Sequence, residues 1–268
     1  MIVDFHSHTY ESDGTLSPQA LADFMAERNV EIFSISDHDT MSAYGQFEPR
    51  NGARVVTGIE INTTYKENEV HVLGYGLRAD AAPLKTMLAR NVAERLNRVR
   101  RMVHQLQRAG YGITVEAVLA EAENAKALGR PHVGKALVRS GAVEDIEWAF
   151  RNLLRSGKPG YVPSSHVTPQ EAIETIVASG GVAVLAHPGR LKNWTLIDEL
   201  AGVGLGGLEV FYPLHDADDI AFFRKKAAEH NLVMTAGSDF HDIRYHTRGV
   251  GMEVDDADIA PFLDMVLP

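Results

Sequence analysis

Ile2-Val3-Asp4-Phe5-His6-Ser7-His8 reads as a short buried strand that runs out into two histidines one residue apart. In extended backbone, positions i and i+2 point to the same side, so two imidazoles placed this way can meet one cation. Alone, His-x-His is a weak signal, because two unrelated histidines look the same; its weight comes from context. Working outward from it, the arrangement recurs. Residues 31–35 form a second apolar run that ends at Ser36-Asp37-His38-Asp39. Residues 54–61 form a third, carrying Glu60, and residues 69–75 a fourth, carrying His71. Residues 182–185 lead into Ala186-His187-Pro188, residues 207–211 form another run, and residues 232–235 lead into Gly237-Ser238-Asp239-Phe240-His241.

Helix signals alternate with these runs. Ser17-Pro18 places a capping serine before a proline in the first turn, starting a helix that continues to about Glu27. Thr168-Pro169-Gln170-Glu171 is a capping box with proline at the first helical position. Short β-branched runs alternating with helices predict an α/β fold with parallel strands, in a barrel or a sheet. In such folds the chemistry gathers at the carboxyl ends of the strands. Nearly every polar cluster named above falls at such an end.

The texture changes between residues 83 and 155, where the pattern is helical, rich in Arg and Ala, and nearly free of strand signal. Gly157-Lys158-Pro159-Gly160-Tyr161 reads as the return linker. The domain reading is therefore a body made of residues 1–80 and 160–268, with residues 81–159 as a helical insertion. Charge divides along the same line. Between Lys85 and Lys158 there are 14 Lys/Arg against 7 Asp/Glu, while the rest of the chain has 12 against 29. An acidic body carrying a basic segment suits a metal site facing an anionic substrate, although most such arginines simply form a solvated helix face. The net charge of −10 argues against general binding of long nucleic acid.

Cysteine is absent, so disulfides and thiolate ligands are excluded and any metal must be held by His and Asp/Glu. There is no apolar run of about 18 residues and no secretory pattern, so a cytoplasmic protein without a membrane partner is expected.

Several residues stand out individually. Glu60 lies in the apolar run Val55-Val56-Thr57-Gly58-Ile59-Glu60-Ile61, where a carboxylate is costly unless it is paired or metal-bound. Asp13 follows the first histidines in a glycine-containing loop. Of Asp37 and His38, one can ligate while the other orients a ligand, and Asp39 reads as a turn cap. His71 alone would more often be a satisfied core histidine. Asp239 and His241 repeat the i, i+2 spacing. Together His6, His8, Asp13, His38, Glu60, His71, His187, Asp239 and His241 exceed what one ion takes and suit two or three divalent ions. His166, His215, Arg190 and Tyr212 are candidates for the rim of the site. His104, His230 and His246 read as ordinary histidines.

Taken as an ordered set, His6-Ser7-His8-Thr9, Asp13-Gly14, Ser36-Asp37-His38-Asp39-Thr40, Gly58-Ile59-Glu60, His71, Ala186-His187-Pro188 and Ser238-Asp239-Phe240-His241 resemble the PHP (polymerase and histidinol phosphatase) family. The resemblance implies a distorted seven-stranded (β/α) barrel with a trinuclear metal centre. It implies one ion at His6, His8, Glu60 and Asp239, a second at Asp13, His38 and His241, and a third at Glu60, His71 and His187, with Glu60 bridging. Gly129-Arg130-Pro131-His132-Val133, Gly157-Lys158-Pro159 and Gly180-Gly181-Val182-Ala183-Val184-Leu185 resemble the branch that dephosphorylates nucleoside 3′,5′-bisphosphates or trims short RNA from its 5′ end.

That branch carries a helical insertion after the fourth strand, which would act as a lid over the substrate. Arg130 and His132 would then hold a phosphate, with Lys158 as a further substrate contact; the bland alternative is a surface arginine and a helix-capping histidine. The expected reaction is phosphomonoester hydrolysis by metal-activated water, with Asp13, His38, His241, Arg130 and His132 as the catalytic set. The expected ion is manganese, with iron or zinc as alternatives. The expected substrate is a small nucleotide bisphosphate. Short RNA, histidinol phosphate and a non-catalytic module associated with a polymerase are the alternatives; a C–N hydrolase is disfavoured because no lysine lies among the ligands.

Overall fold

A computed structural model of the chain describes residues 1–66, 68–122, 125–163, 167–244 and 249–267; His166 and His246 lie outside these. The described strands form two sheets. One has four strands in the order β3 (Arg54–Val55), β2 (Ile32–Phe33), β1 (Ile2–Asp4) and β9 (Met252–Glu253). The other has five, in the order β4 (Gly58–Tyr65), β5 (Asn68–Tyr75), β6 (Val182–Leu185), β7 (Gly207–Phe211) and β8 (Val233–Ala236).

One expectation needs correction. The sheets are mixed, not parallel throughout: β4 and β5 pair antiparallel, as do β5 with β6 and β1 with β9. Between β4 and β5 the chain has only two residues, far too few for the crossover that a parallel pair needs. Nor do the ladders close into one seven-stranded barrel. The run that reads as one strand at residues 54–61 breaks at Val56 and Thr57, so β3 joins one sheet and β4 the other. Gly58 is required there, because a Cβ would collide with Ser34 Oγ, and its N–H donates to the Tyr44 hydroxyl at 2.6 Å.

Between the sheets run single bridges and irregular backbone bonds. His38 bridges Glu60 and Ser7 bridges Phe240. Phe5 N donates to Ala236 O at 2.8 Å, and Asp239 N to His6 O at 2.7 Å. β1 and β2 are only three and two residues long, so their carboxyl ends leave the ladder early and turn into loops.

The helices α1 (Pro18–Glu27), α6 (Pro169–Ala178), α7 (Thr195–Ala201), α8 (Ala217–His230) and α9 (Asp256–Val266) accompany these strands. Ser17 accepts from Ala20 N as expected, and Thr168 from Glu171 N, while the Glu171 carboxylate pairs with Arg90 at 2.6 Å, so only the Thr168 half of the expected capping box is formed. The main core joins Phe5, Ile59, Val72, Tyr75, Leu185, Leu208 and Phe262, all fully buried.

Residues 82–154 hold α2 (Ala82–Arg108), α3 (Val115–Ala120), α4 (Arg130–Arg139), α5 (Ile146–Ala149) and a π-helical turn, Phe150–Leu154. They have their own apolar cluster, including Val99, Met102, Leu106, Val133, Leu137 and Leu154. No helix among the described residues is long and apolar enough to cross a membrane.

Candidate metal centre

Loops that leave the strands, with Glu60 in β4 and His71 in β5, bring all nine candidate ligands together. Three sets form, each with its ligand atoms within 4.8 Å of one another: His6, His8, Glu60 and Asp239; His8, Asp13, His38 and His241; and Glu60, His71 and His187. Glu60 belongs to two sets. So does His8, which the family resemblance assigned to the first alone.

Glu60 is the hub and is fully buried. Its Oε1 lies 2.7 Å from His71 Nδ1, 3.3 Å from His6 Nε2 and 3.4 Å from His187 Nε2. Its Oε2 lies 2.8 Å from His38 Nδ1 and 3.3 Å from His8 Nε2. Asp239 Oδ1 lies 3.4 Å from the Nε2 atoms of both His6 and His8. Asp13 faces His241 Nε2 at 3.3 Å and His38 Nε2 at 3.7 Å.

The electrostatics fit a cation. Burial raises the cost of charge on Asp13, Glu60 and Asp239, yet the surrounding imidazoles hold all three carboxyls well below their usual range. Burial also pushes His6 and His8 down, and the neighbouring carboxylates outweigh it. His6 stays well above its usual value, and His8 rises to about 10. For His38 and His187 burial wins and the ring is pushed down.

The same atoms are buried without good hydrogen bonds: His6 Nε2, both ring nitrogens of His8, His38 Nδ1, Glu60 Oε2 and His187 Nε2. Orphaned polar atoms are costly in a protein interior and rare. Divalent ions at the three sets would satisfy them, and His nitrogens with carboxylate oxygens suit Mn, Fe or Zn. The residues present therefore fit the metal centre that the sequence implies.

Backbone strain marks the same loops. His187 has φ +29°, Asp239 +55° and Asp39 +51°, all in the left-handed region that side chains avoid. Such residues cost about 1–3 kcal/mol each and persist only where the surroundings over-determine them.

Buried carboxylates outside the three sets hold the segments that carry the candidate ligands. Asp37 accepts from Thr9 N at 2.7 Å, Thr9 Oγ1 at 2.6 Å and Ser12 Oγ at 2.6 Å, so it clamps the loop that carries Asp13. Burial pushes its carboxyl up to about 6. Asp39 is not a turn cap. It is an anchor for α2, accepting from Asn91 Nδ2 at 2.8 Å and Arg95 Nε at 2.7 Å. Glu209 faces His6 Nδ1 at 2.9 Å and His187 N at 2.7 Å. The sequence reading passed over Glu209, although a carboxylate inside Gly207-Leu208-Glu209-Val210-Phe211 carries the same signal as Glu60.

The basic residues sit around the mouth. Arg130 pairs with Glu69 at 2.6 Å and lies over the Phe150 ring. His132 is the cap of α4: its Nδ1 accepts from Gly129 N at 3.1 Å. Burial pushes the His132 ring down to about 4, so it is neutral, with its proton on Nε2. Lys158 is exposed. A cavity beside Arg130 is lined instead by Arg155, Tyr161, Arg190 and Lys192. Arg190 also reaches the hollow next to His71 and His187, and with the Tyr212 hydroxyl it approaches Asp239 Oδ2, at 3.3 and 3.2 Å. His215, from the same rim group, holds Gly189 N at 3.1 Å.

No family model matches the chain. It is 34% identical over 257 residues to the 3′,5′-nucleoside bisphosphate phosphatase of Chromobacterium violaceum, spanning 93% of this chain and 90% of that protein. It is 32% identical to the phosphoribosyl 1,2-cyclic phosphate 1,2-diphosphodiesterase of Eggerthella lenta, over 90% of this chain and 94% of that one. It is 33% identical to the 5′-3′ exoribonuclease Rnm of Salmonella typhimurium, over 90% and 85%. A solved structure from Bifidobacterium adolescentis, provisionally described as a metal-dependent phosphoesterase, superposes with a TM-score of 0.87 at 29% identity, covering 99% of this chain and 96% of that one.

Proposed function

Since the chain belongs to the PHP family of metal-dependent phosphoesterases, we propose that it hydrolyses the 3′-phosphate of nucleoside 3′,5′-bisphosphates. One observation carries this reading. Nine candidate ligands gather in three sets around buried Glu60, with ring nitrogens of His6, His8, His38 and His187 unsatisfied, under a mouth rimmed by arginines.

His6, His8, Glu60 and Asp239 would hold one ion, Asp13, His38 and His241 with His8 a second, and Glu60, His71 and His187 a third. Bound divalent ions, manganese being our expectation, supply Lewis acidity and bring the pKa of water toward neutrality. The chain's own residues do the rest. Glu60 ties two sets together through its two oxygens. Asp37 fixes the Thr9–Ser12 loop and with it the place of Asp13. Neutral His132 offers its Nε2–H as a donor next to Asp13. Arg190 stands where it can meet a phosphoryl oxygen beside His71 and His187, and the fork of its guanidinium suits that contact. We read residues 81–159 as a lid that carries Arg130 and Arg155 over the body formed by 1–80 and 160–268. We read β1, β2 and β4–β8 as a split, distorted barrel of seven strands, joined across its seams by the Phe5–Ala236 and His38–Glu60 contacts.

A second reading is 5′→3′ removal of nucleotides from short RNA. It is favoured by the basic cavity of Arg155, Arg190 and Lys192, which extends past the ligands and could hold a following phosphate. The test is a phosphate-release screen with Mn²⁺ over nucleoside 3′,5′-bisphosphates, mononucleotides, histidinol phosphate, a ribosyl cyclic phosphate and short 5′-phosphorylated RNA. The highest kcat/KM is expected for the bisphosphates. Mononucleotide release from RNA with no phosphate from bisphosphates would replace the first reading by the second.

A further inference from the structure

Glu209 sits in the middle of β7 between Leu208 and Val210, and all three are fully buried. A carboxylate there is costly unless every lone pair has a use. The pairing of β7 with β8 shifts register between Glu209 and Phe211, a bulge of the kind that re-aims a side chain. Its two oxygens go to different ligands: Oε1 to the His6 ring and Oε2 to the backbone N–H of His187. Space is cleared for this contact. A Cβ at Gly237 would strike His6 Cβ and stand 2.5 Å from Glu209 Oε1.

We propose that Glu209 is a positioning residue that holds His6 in the tautomer a cation needs and pins the strained backbone of His187, so that one carboxylate governs two of the three ligand sets. This rests on reading the nine residues as metal ligands. A carboxylate only accepts, so His6 Nδ1 carries the proton and donates. In the neutral ring that an ion would bind, Nε2, which faces Glu60 and Asp239, then carries the lone pair. The second oxygen holds His187 N while φ stands at +29°.

Glu209→Gln keeps the shape and breaks this logic. If the amide oxygen stays with His187 N, the NH2 group faces His6 Nδ1, which must then accept. The ring proton moves to Nε2 and blocks the ligand atom. If the amide turns round, His187 N loses its acceptor instead. The hydrogen bonds of Glu209 described above go to His6 and His187, which lie outside the set of Asp13, His38 and His241.

The experiment is a Mn²⁺ titration of wild type and Glu209→Gln by competition with a fluorescent chelator, with thermal unfolding of the metal-free proteins alongside. Wild type should bind more than one ion. The variant should lose about 10- to 100-fold in affinity for two classes of ion and keep its affinity for a third. Equal Mn²⁺ binding by the two proteins, or a fall confined to metal-free stability, overturns the proposal. If wild type itself binds no Mn²⁺, the metal reading fails and takes the proposal with it. Nitrogen-15 NMR of imidazoles in Zn²⁺-loaded wild type needs no variant. His6 should show a proton on Nδ1, and a proton on Nε2 would be decisive against us.

Discussion

The floor of the site and the helical segment above it are both rich in charge, and they treat it in opposite ways. On the floor, ligands from strand ends are buried with polar atoms left unsatisfied. Above, the arginines nearest the floor are already paired: Arg95 with Asp39, and Arg130 with Glu69. Arg98, buried beside Arg130, has its guanidinium pushed down to about 9, first by burial and then by that neighbour. The floor is built for something to enter it. The arginines above must give up a carboxylate before they can hold a phosphate. On the function proposed above, the body would fix the geometry of the chemistry, while the helical segment would exchange partners as substrate arrives.

The largest effect should come from the joint between the two regions. Arg95 and Asp39 are both buried, so Asp39→Ala leaves an uncompensated cation. It should cost about 3–5 kcal/mol in urea unfolding of the metal-free protein. A loss below about 1 kcal/mol would mean that Arg95 finds water, and that the two regions are held together by packing alone.

Next comes the floor itself. Asp13→Asn or His38→Ala should lower kcat/KM by more than about a hundredfold, because even residues that only support a ligand are worth 10- to 100-fold. Unfolding should be unchanged. Near-normal turnover at saturating Mn²⁺ would make that ligand set dispensable.

Arg130→Ala probes the exchange of partners. A buried charge-assisted contact is worth about 1.5–3 kcal/mol, or roughly 10- to 150-fold. Losing it should weaken use of a 3′,5′-bisphosphate by that factor and spare a substrate with one phosphate. Equal losses in kcat for both would put Arg130 on the transferred group instead. No loss would leave it as a partner of Glu69 only.

The smallest effect is the control. Arg90 and Glu171 pair across the helical segment and α6, but both are well exposed. Glu171→Gln should change stability by under about 1 kcal/mol and activity not at all. A larger change would show that the surface also couples the two regions.

Most of the candidate ligands were legible in the sequence because they stand just past the end of an apolar run, where a polar cluster has no structural excuse. Glu60 was legible for the converse reason, as a charge inside such a run. Glu209 carried that same signal and was missed, because no second polar residue stood beside it to draw attention. The split of residues 54–61 into two strands depends on Ser34 and Tyr44 crowding Gly58, which no local pattern records. The mixed sheet could have been inferred from the short link between β4 and β5. The partners of Arg130 and Arg95 could not, since Glu69 and Asp39 lie far from them in sequence and meet them only by docking.

One feature of the fold concerns when the site can exist at all. Asp4 accepts from Ser238 N, 234 residues further along the chain, and β1 lies between β2 and β9. At ~5–20 residues per second of synthesis, the histidines of the first strand wait roughly ten to fifty seconds for Asp239 and His241 to be made. During most of that interval His6 and His8 have Glu60 as a partner but lack Asp239, while the set of Glu60, His71 and His187 needs nothing beyond residue 187. A ribosome stalled before residue 239 would carry a chain able to supply the third set and unable to complete the first and second.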